Sequence, residues 1–298
     1  MNFLIANTLE EYEKIVEPFR KDNWFRGHSK AEYRLEPNIY RERHFRRNLI
    51  GYDTRSVTRP QSGYYDIYQY KIADDITKLK YPKCSFIKRM YKNQHYNILT
   101  PLLDFSTDPL VALFFAVENR SKWNKKHSIN FIQKKCDGNL AYVKKEAGAI
   151  FVINPSILNT KSLGTKKLLD SNNLRKKFIL SNDLPFAISP SVFNNPRVKA
   201  QSGKFVCFGL KLESLEDYEV LEKDITKILI PNAVKQEIFE GLIAKGYTYQ
   251  KIYPDFEGVA KDANYQMWRC QLPIFRTGLK YTKSPCSHQP ILHWSEVV

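Results

Sequence analysis

The chain has 298 residues, 43% hydrophobic and 26% charged, a balance that excludes a disordered chain and fits one large domain or two small ones. Its longest apolar run, LVALFFAV at 110–117, is too short to span a membrane, and MNFLIANTLEEYEKIVEP lacks the basic-then-apolar order of a signal peptide, so a cytoplasmic protein with no membrane contact is expected. A net charge of +16 leaves two readings open: a surface that recruits a polyanion, with nucleic acid the usual one, or a lysine-rich surface without that purpose.

In chain order, TLEEYEKIVEPFR at 8–20 opens with Thr8 before acidic residues, a helix start, so residues 1–20 are expected as an N-terminal helix. NWFRGHS at 23–29 reads as a short strand ending in a turn at Gly27, because glycine permits backbone angles that other residues avoid. RLEPNIYRER continues extended and then turns helical. IGYDTRSVTRPQSG at 50–63 has no apolar period and reads as a loop. Residues 66–80 and 84–97 show helical periods with polar outer faces.

LTPLLDF is expected as a buried strand, and DPLVALFFAVENRSKWN as a helix capped by Asp108 with Pro109 in its first position. Three further strands are expected in GAIFVINPS at 148–156, KAQSGKFVCFGLKL at 199–212 and ITKILIPNA at 225–233. A helix closed by Gly246 follows the last of them. From Gln266 onward the chain reads as an irregular tail. The sum is an α+β fold.

The five cysteines, at 84, 136, 207, 270 and 286, stand singly, which suits reduced thiols and argues against structural zinc. No paired-carboxylate metal set is visible, and no metal is expected. Basic residues cluster in RERHFRR at 41–47 and KWNKKH at 122–127. If the charge serves nucleic acid, Arg43, Arg46, Arg47, Lys125 and Lys126 are its candidate contacts, with RNA favoured over DNA.

Three polar motifs stand out. In FRG at 25–27, Arg26 offers donors suited to phosphate or carboxylate, or else forms a surface salt bridge. In QHYNILTPLLDFSTDP at 94–109, Ser106 and Thr107 sit where strand meets helix, a place that suits an anionic or ribose-bearing ligand. Capping explains Asp108 fully and Ser106 in part. His95 and Asp104 are either chemistry or an internal pair. In NNPRVKAQSGKF at 194–205, Gln201 stands at a strand entrance, as a site residue or as decoration of a turn.

Taken together, WFRGH, QHYNILTPLLDFSTDPLVALFFA and RVKAQSGKF resemble the FRG domain family, named for its aromatic-Arg-Gly motif. The stretch 225–261 resembles the family's closing pattern, so the resemblance runs over roughly residues 20–262. It implies a domain at 21–265 and a tail at 266–298. One departure is Asn97, where the family carries glycine; Asn also tolerates left-handed backbone angles.

A weaker resemblance, to the Arg-Ser-Glu class of ADP-ribosyltransferases, implies a split β-sheet core with flanking helices and NAD as co-substrate. On that likeness Arg26 and Gly27 hold the pyrophosphate, and Thr100, Ser106 and Thr107 line the cofactor site. Arg26, His95, Asp104 and Gln201 are then the candidate catalytic residues. The class's glutamate position is occupied by Gly203. Either Gln201 or Asp104 does that work, or the acceptor assists itself, or the domain binds without reacting. The implied function is a mono-ADP-ribosyltransferase acting on nucleic acid, as a bacterial toxin or phage-defence effector restrained by an antitoxin. The alternatives are a non-catalytic nucleic-acid-binding module and an NAD glycohydrolase.

Overall fold

The structure, a computed structural model, describes residues 1–39, 72–119, 123, 147–170, 174, 182–190, 195–209 and 213–277, with 270–277 as backbone alone. Two compact units divide the chain, Met1–Tyr247 and Thr248–Val298. The first contains strands β1 (Asn2–Ile5), β2 (Trp24–His28), β3 (Leu102–Ser106), β4 (Gly148–Ile153), β5 (Leu169–Asp170), β6 (Phe186–Ser189), β7 (Gly203–Cys207) and β8 (Thr226–Ile230). Its helices are α1 (Leu9–Val16), α2 (Phe86–His95), α3 (Pro109–Val117), α4 (Pro155–Leu163), α5 (Pro196–Ala200), α6 (Glu219–Glu222) and α7 (Lys235–Ala244), and residues 72–80 are helical as well.

The strands form one mixed eight-stranded sheet in the order β1-β8-β4-β2-β3-β7-β6-β5, and the fold is α+β. β1 with β8 and β5 with β6 run parallel, and the other neighbours run antiparallel. β2 pairs with β4 over its whole length, Trp24 opposite Ile153 through His28 opposite Ala149. β3 pairs with β7 equally fully, Leu102 opposite Cys207 through Ser106 opposite Gly203. Between β2 and β3 the register is a single pair, Phe25 opposite Ser106. The sheet therefore consists of two well-laddered halves joined at one point, and β2 and β3 part beyond it.

Helix α3 explains how the first half is anchored. PLVALFFAV is apolar all round, as befits a helix buried on every side, and all of it but Phe115 is buried. Asp108 caps it by accepting the Leu110 N–H at 2.9 Å, and Pro109 occupies the first turn, as the sequence indicates. Tyr12 on α1 donates its hydroxyl to the Pro109 carbonyl at 2.7 Å, tying the two helices together. Phe114 meets Phe239 of α7 with ring centroids 5.4 Å apart. On the sheet side the helix lies almost on the β2 backbone: a Cβ at Gly27 would fall 1.8 Å from the Ala112 carbonyl oxygen. Gly27 is thus in mid-strand rather than in a turn, and its glycine supplies room rather than an unusual angle.

The second half is covered on one face by α2, whose Tyr91 ring lies 4.8 Å from that of Phe205. Against β6, Asn159 of α4 receives the Ala187 N–H at 2.7 Å and donates to its carbonyl at 3.0 Å, so a buried amide closes the ladder there. Residues 1–20 hold β1 as well as the expected helix, and both lie in the first unit. The α3 helix ends at Val117, short of the expected 124, and Trp123 donates its indole N–H to the Val117 carbonyl at 2.7 Å. The strand expected from 199 starts at Gly203, because residues 196–200 are helical.

The second unit contains α8 (Tyr249–Ile252) and α9 (Phe256–Thr277). Asp262 of α9 accepts the N–H groups of Tyr249 and Gln250, both at 3.1 Å, so one carboxylate caps the start of α8. Helix α9 runs through 266–277, a stretch expected to be an irregular tail; Tyr265 stacked on Trp268 at 5.9 Å gives that segment a helical face to keep. The loop at 50–63 and Arg43, Arg46, Arg47, Lys125 and Lys126 lie outside the described residues. Among the described residues no helix is long and apolar enough to cross a membrane, and Cys84 and Cys207 are free thiols.

Gly27→Ala is expected to lower stability by about 3 kcal/mol or more, the upper end of overpacking, because the methyl group meets backbone that cannot rotate away. A lowered urea midpoint measures this, and an unchanged midpoint would show that α3 does not press on β2.

Candidate functional site

A cavity of about 400 Å3 opens where β2 and β3 part. Its floor is Phe25, Arg26 and Gly27 on β2 and Leu102–Ser106 on β3. Its walls are the end of α2 (Tyr91, Gln94, His95), Val111, Ala112 and Phe115 of α3, and the α5 segment with Asn195, Arg197 and Gln201. A nucleotide-sized ligand fits such a volume, and the mixture of aromatic walls with a few polar groups is typical of small-molecule clefts.

Arg26 spans the fork. Its Nη1 donates to the Asp104 carbonyl at 2.6 Å, the group that a continued β2–β3 ladder would have satisfied with a backbone N–H. The contact from Nη1 to the Asp104 carboxylate is looser, 3.9 Å. Nε donates to His28 Nε2 at 2.8 Å. With two directions fixed, the guanidinium is a pre-placed cation, and the side chain is 16% exposed.

Asp104 is the only carboxylate among the described residues lining the cavity, and its side chain is 53% exposed. Gln94 holds it, donating from Nε2 to Oδ2 at 2.8 Å. The same amide accepts a bond from the Thr100 hydroxyl, and the Thr100 N–H donates to Asn38 Oδ1 at 2.8 Å. Thr100 is fully buried and lies behind the cavity wall, acting through Gln94.

His95 lines the cavity but is exposed, its ring against Tyr96 at 4.9 Å, and it is Gln94, its neighbour, that bonds Asp104. The His95–Asp104 internal pair considered from sequence is not formed. Gln94 and Asn38 are the site residues that sequence reasoning missed. The signal available was Gln94 itself, the first residue of the QH motif, facing Thr100 one turn beyond its helix.

Ser106 is buried and committed to the fold: its hydroxyl donates to the Gln201 carbonyl at 2.7 Å and accepts the Asp108 N–H at 2.9 Å. Thr107 lies outside this cavity and lines a second one, of about 470 Å3, with Arg20, Lys21 and Lys166. Its N–H donates to the Ser202 carbonyl at 3.1 Å. Gln201 lines the first cavity and ends α5, followed by Ser202 in a left-handed conformation at φ 49°. Asn97, also lining it, has φ 58°, the left-handed angle expected where the resembled family carries glycine. A Cβ at Gly203 would lie 3.1 to 3.2 Å from Val198 atoms, so a larger residue there needs α5 to give way. Among the described residues no group of three or more His, Cys, Asp or Glu could hold a metal ion.

The FRG domain family model matches residues 21–125. No curated protein and no solved structure matches the chain. The FRG-domain match takes in β2, α2, β3 and α3, and so the fork, Arg26, the Gln94–Thr100–Asp104 network and the α3 wall. It ends before α5 and β7, which bring Arg197 and Gln201 to the cavity.

Because Thr100 and Asp104 share one amide, Gln94→Ala and Thr100→Val should each cost about 1–2 kcal/mol. The double variant should cost about 1 kcal/mol less than their sum. Urea unfolding of the four proteins measures this, and strict additivity would show that the network is not coupled.

Proposed function

We propose that the chain is an NAD-dependent mono-ADP-ribosyltransferase that modifies a nucleic acid, RNA ahead of DNA. The observation that carries this reading is the forked sheet, with a fixed guanidinium and, among the described residues, one lining carboxylate in a nucleotide-sized cleft. Arg26 meets the NAD pyrophosphate, and the aromatic wall of Tyr91 and Phe115 takes an apolar ring face. Asp104 faces the ribose next to nicotinamide. There it accepts a hydroxyl hydrogen bond and stabilises the positive charge that builds on the sugar as the glycosidic bond breaks. Nicotinamide leaves with the bonding electron pair, the acceptor nucleophile bonds to the ribose carbon, and its proton passes to solvent.

Asp104 thereby substitutes for the carboxylate that Gly203 cannot supply. Preorganised electrostatic groups of this kind contribute about 3–4 kcal/mol to a barrier. Gln94 aims the carboxylate without neutralising it. The net charge of +16 recruits a polyanionic acceptor, and such an enzyme, acting in the cytoplasm, calls for a restraining antitoxin partner.

Gly203 also supports a second reading, a binding module that holds nucleotide or nucleic acid without turnover. One experiment separates the two. The purified chain is incubated with labelled NAD and with RNA, DNA and protein fractions. Label in RNA, reduced at least tenfold by Arg26→Ala or Asp104→Asn, is the expected result. Free nicotinamide without label indicates a glycohydrolase. No nicotinamide and no label would leave the binding module.

A further inference from the structure

His28 does not line the cleft, yet it decides where Arg26 points. The ring is buried at 5% exposure, on the pleat that carries Arg26 and Trp24. Arg26 Nε can only donate, so His28 Nε2, 2.8 Å away, must present its lone pair. The other nitrogen, Nδ1, lies 3.2 Å from the Tyr33 carbonyl, an acceptor, so it carries the hydrogen. Both bonds together select one form of the ring, neutral with hydrogen on Nδ1.

The ring cannot turn away to keep Arg26 in another form. The loop that supplies Tyr33 is pinned by two buried lysines, Lys235 donating to the Ser29 carbonyl at 2.8 Å and Lys227 to that of Ala31 at 2.6 Å. The Ala31 N–H donates to the Ala147 carbonyl at 2.7 Å. Phe151 of β4 packs edge-on against the ring at 5.3 Å, and the Lys227 ammonium from β8 lies 4.6 Å from the Phe151 ring centroid. Lys30 and Glu32 of the loop pair with each other at 3.0 Å. Among the described residues, the charges around the ring include the Arg26 guanidinium on its own strand, Lys227 over Phe151, Lys235 on the Ser29 carbonyl, and this loop pair.

We propose that His28 is a positioning residue that gates the cleft by pH: the neutral ring sets the direction of the Arg26 guanidinium through Nε, and protonation at Nε2 removes that acceptor, so the second fixed direction is lost while the Nη1 bond to the Asp104 carbonyl stays. The charge gained on protonation sits outside the cleft lining, so it does not replace the lost orientation of Arg26. The inference rests on the proposed nucleotide site for its consequence, and on the hydrogen-bond geometry for its cause.

Nitrogen NMR of the imidazole rings in the full chain tests the cause without any ligand. At about pH 8 the His28 Nε2 should show the unprotonated signal and Nδ1 the protonated one. Arg26→Ala should move the ring's titration midpoint up, because a neighbouring cation disfavours a second one. The opposite tautomer, or a midpoint unmoved in Arg26→Ala, overturns the proposal. Calorimetric titration with NAD tests the consequence. Affinity should fall about tenfold or more across the pH interval in which the ring takes up its proton. His28→Gln, which keeps an acceptor and does not titrate, should flatten that dependence. An affinity that holds or rises as the ring protonates overturns the gate. NAD that binds at no pH sinks the proposed function, and the ligand-free NMR result then decides the role of His28 separately.

Discussion

One hydrogen bond, from Arg26 to the Asp104 carbonyl, stands where a β-ladder should be. β2 and β3 are neighbours in an eight-stranded sheet, yet one residue pair joins them. Parting two central strands leaves backbone groups that must find other partners or lose about 1–3 kcal/mol each. A guanidinium can satisfy a carbonyl and still present donors to a ligand, which a backbone N–H cannot. The same side chain therefore satisfies the carbonyl at the gap and places a cation in the cavity lining. Arginine's planar fork lets one side chain bond the Asp104 carbonyl and His28 in two fixed directions.

What keeps the fork open is packing behind each half. On one side α3 sits so close to β2 that only glycine fits at 27, and similarly at Gly148, where a Cβ would come within 2.6 Å of the Ala116 carbonyl oxygen. Closing the gap would drag β2 off a helix that is buried all round. On the other side β3 is tied to β7 by a full ladder and to α5 by the Ser106 hydroxyl. Each half is laddered along its own strands, and one residue pair joins β2 to β3. The polar groups of the cleft are in this sense already set, with Arg26 and Asp104 hydrogen-bonded in fixed directions.

Much of this was legible in the sequence. The apolar run before Asp108-Pro109 announced β3 and α3, and the positive φ of Asn97 follows from the tolerance of asparagine for that angle. The cavity gathers Arg26, His95, Asp104 and Gln201 from segments far apart in the chain. Other features were beyond a local reading. Nothing in WFRGH says that Gly27 is needed for a helix contributed from residue 112, because that constraint exists only after packing. Ser106 and Thr107 looked alike, yet strand alternation sends one hydroxyl into a cap and the other to a different cavity. β1, β5 and β6 are too short to show an alternating period, and β1 has its side chains exposed on both faces. The partnership of Gln94 with Asp104 rather than His95 turns on a single residue of helical phase, about 100° of rotation.

The central claim is that the β2–β3 fork is a nucleotide site. Backbone hydrogen exchange of the full chain with and without NAD tests it most directly, since a ligand bridging the fork must slow opening on both sides at once. Slower exchange is predicted at 24–28, 94–106 and 195–203 together. Protection confined to other segments, or none at saturating NAD, would contradict the account.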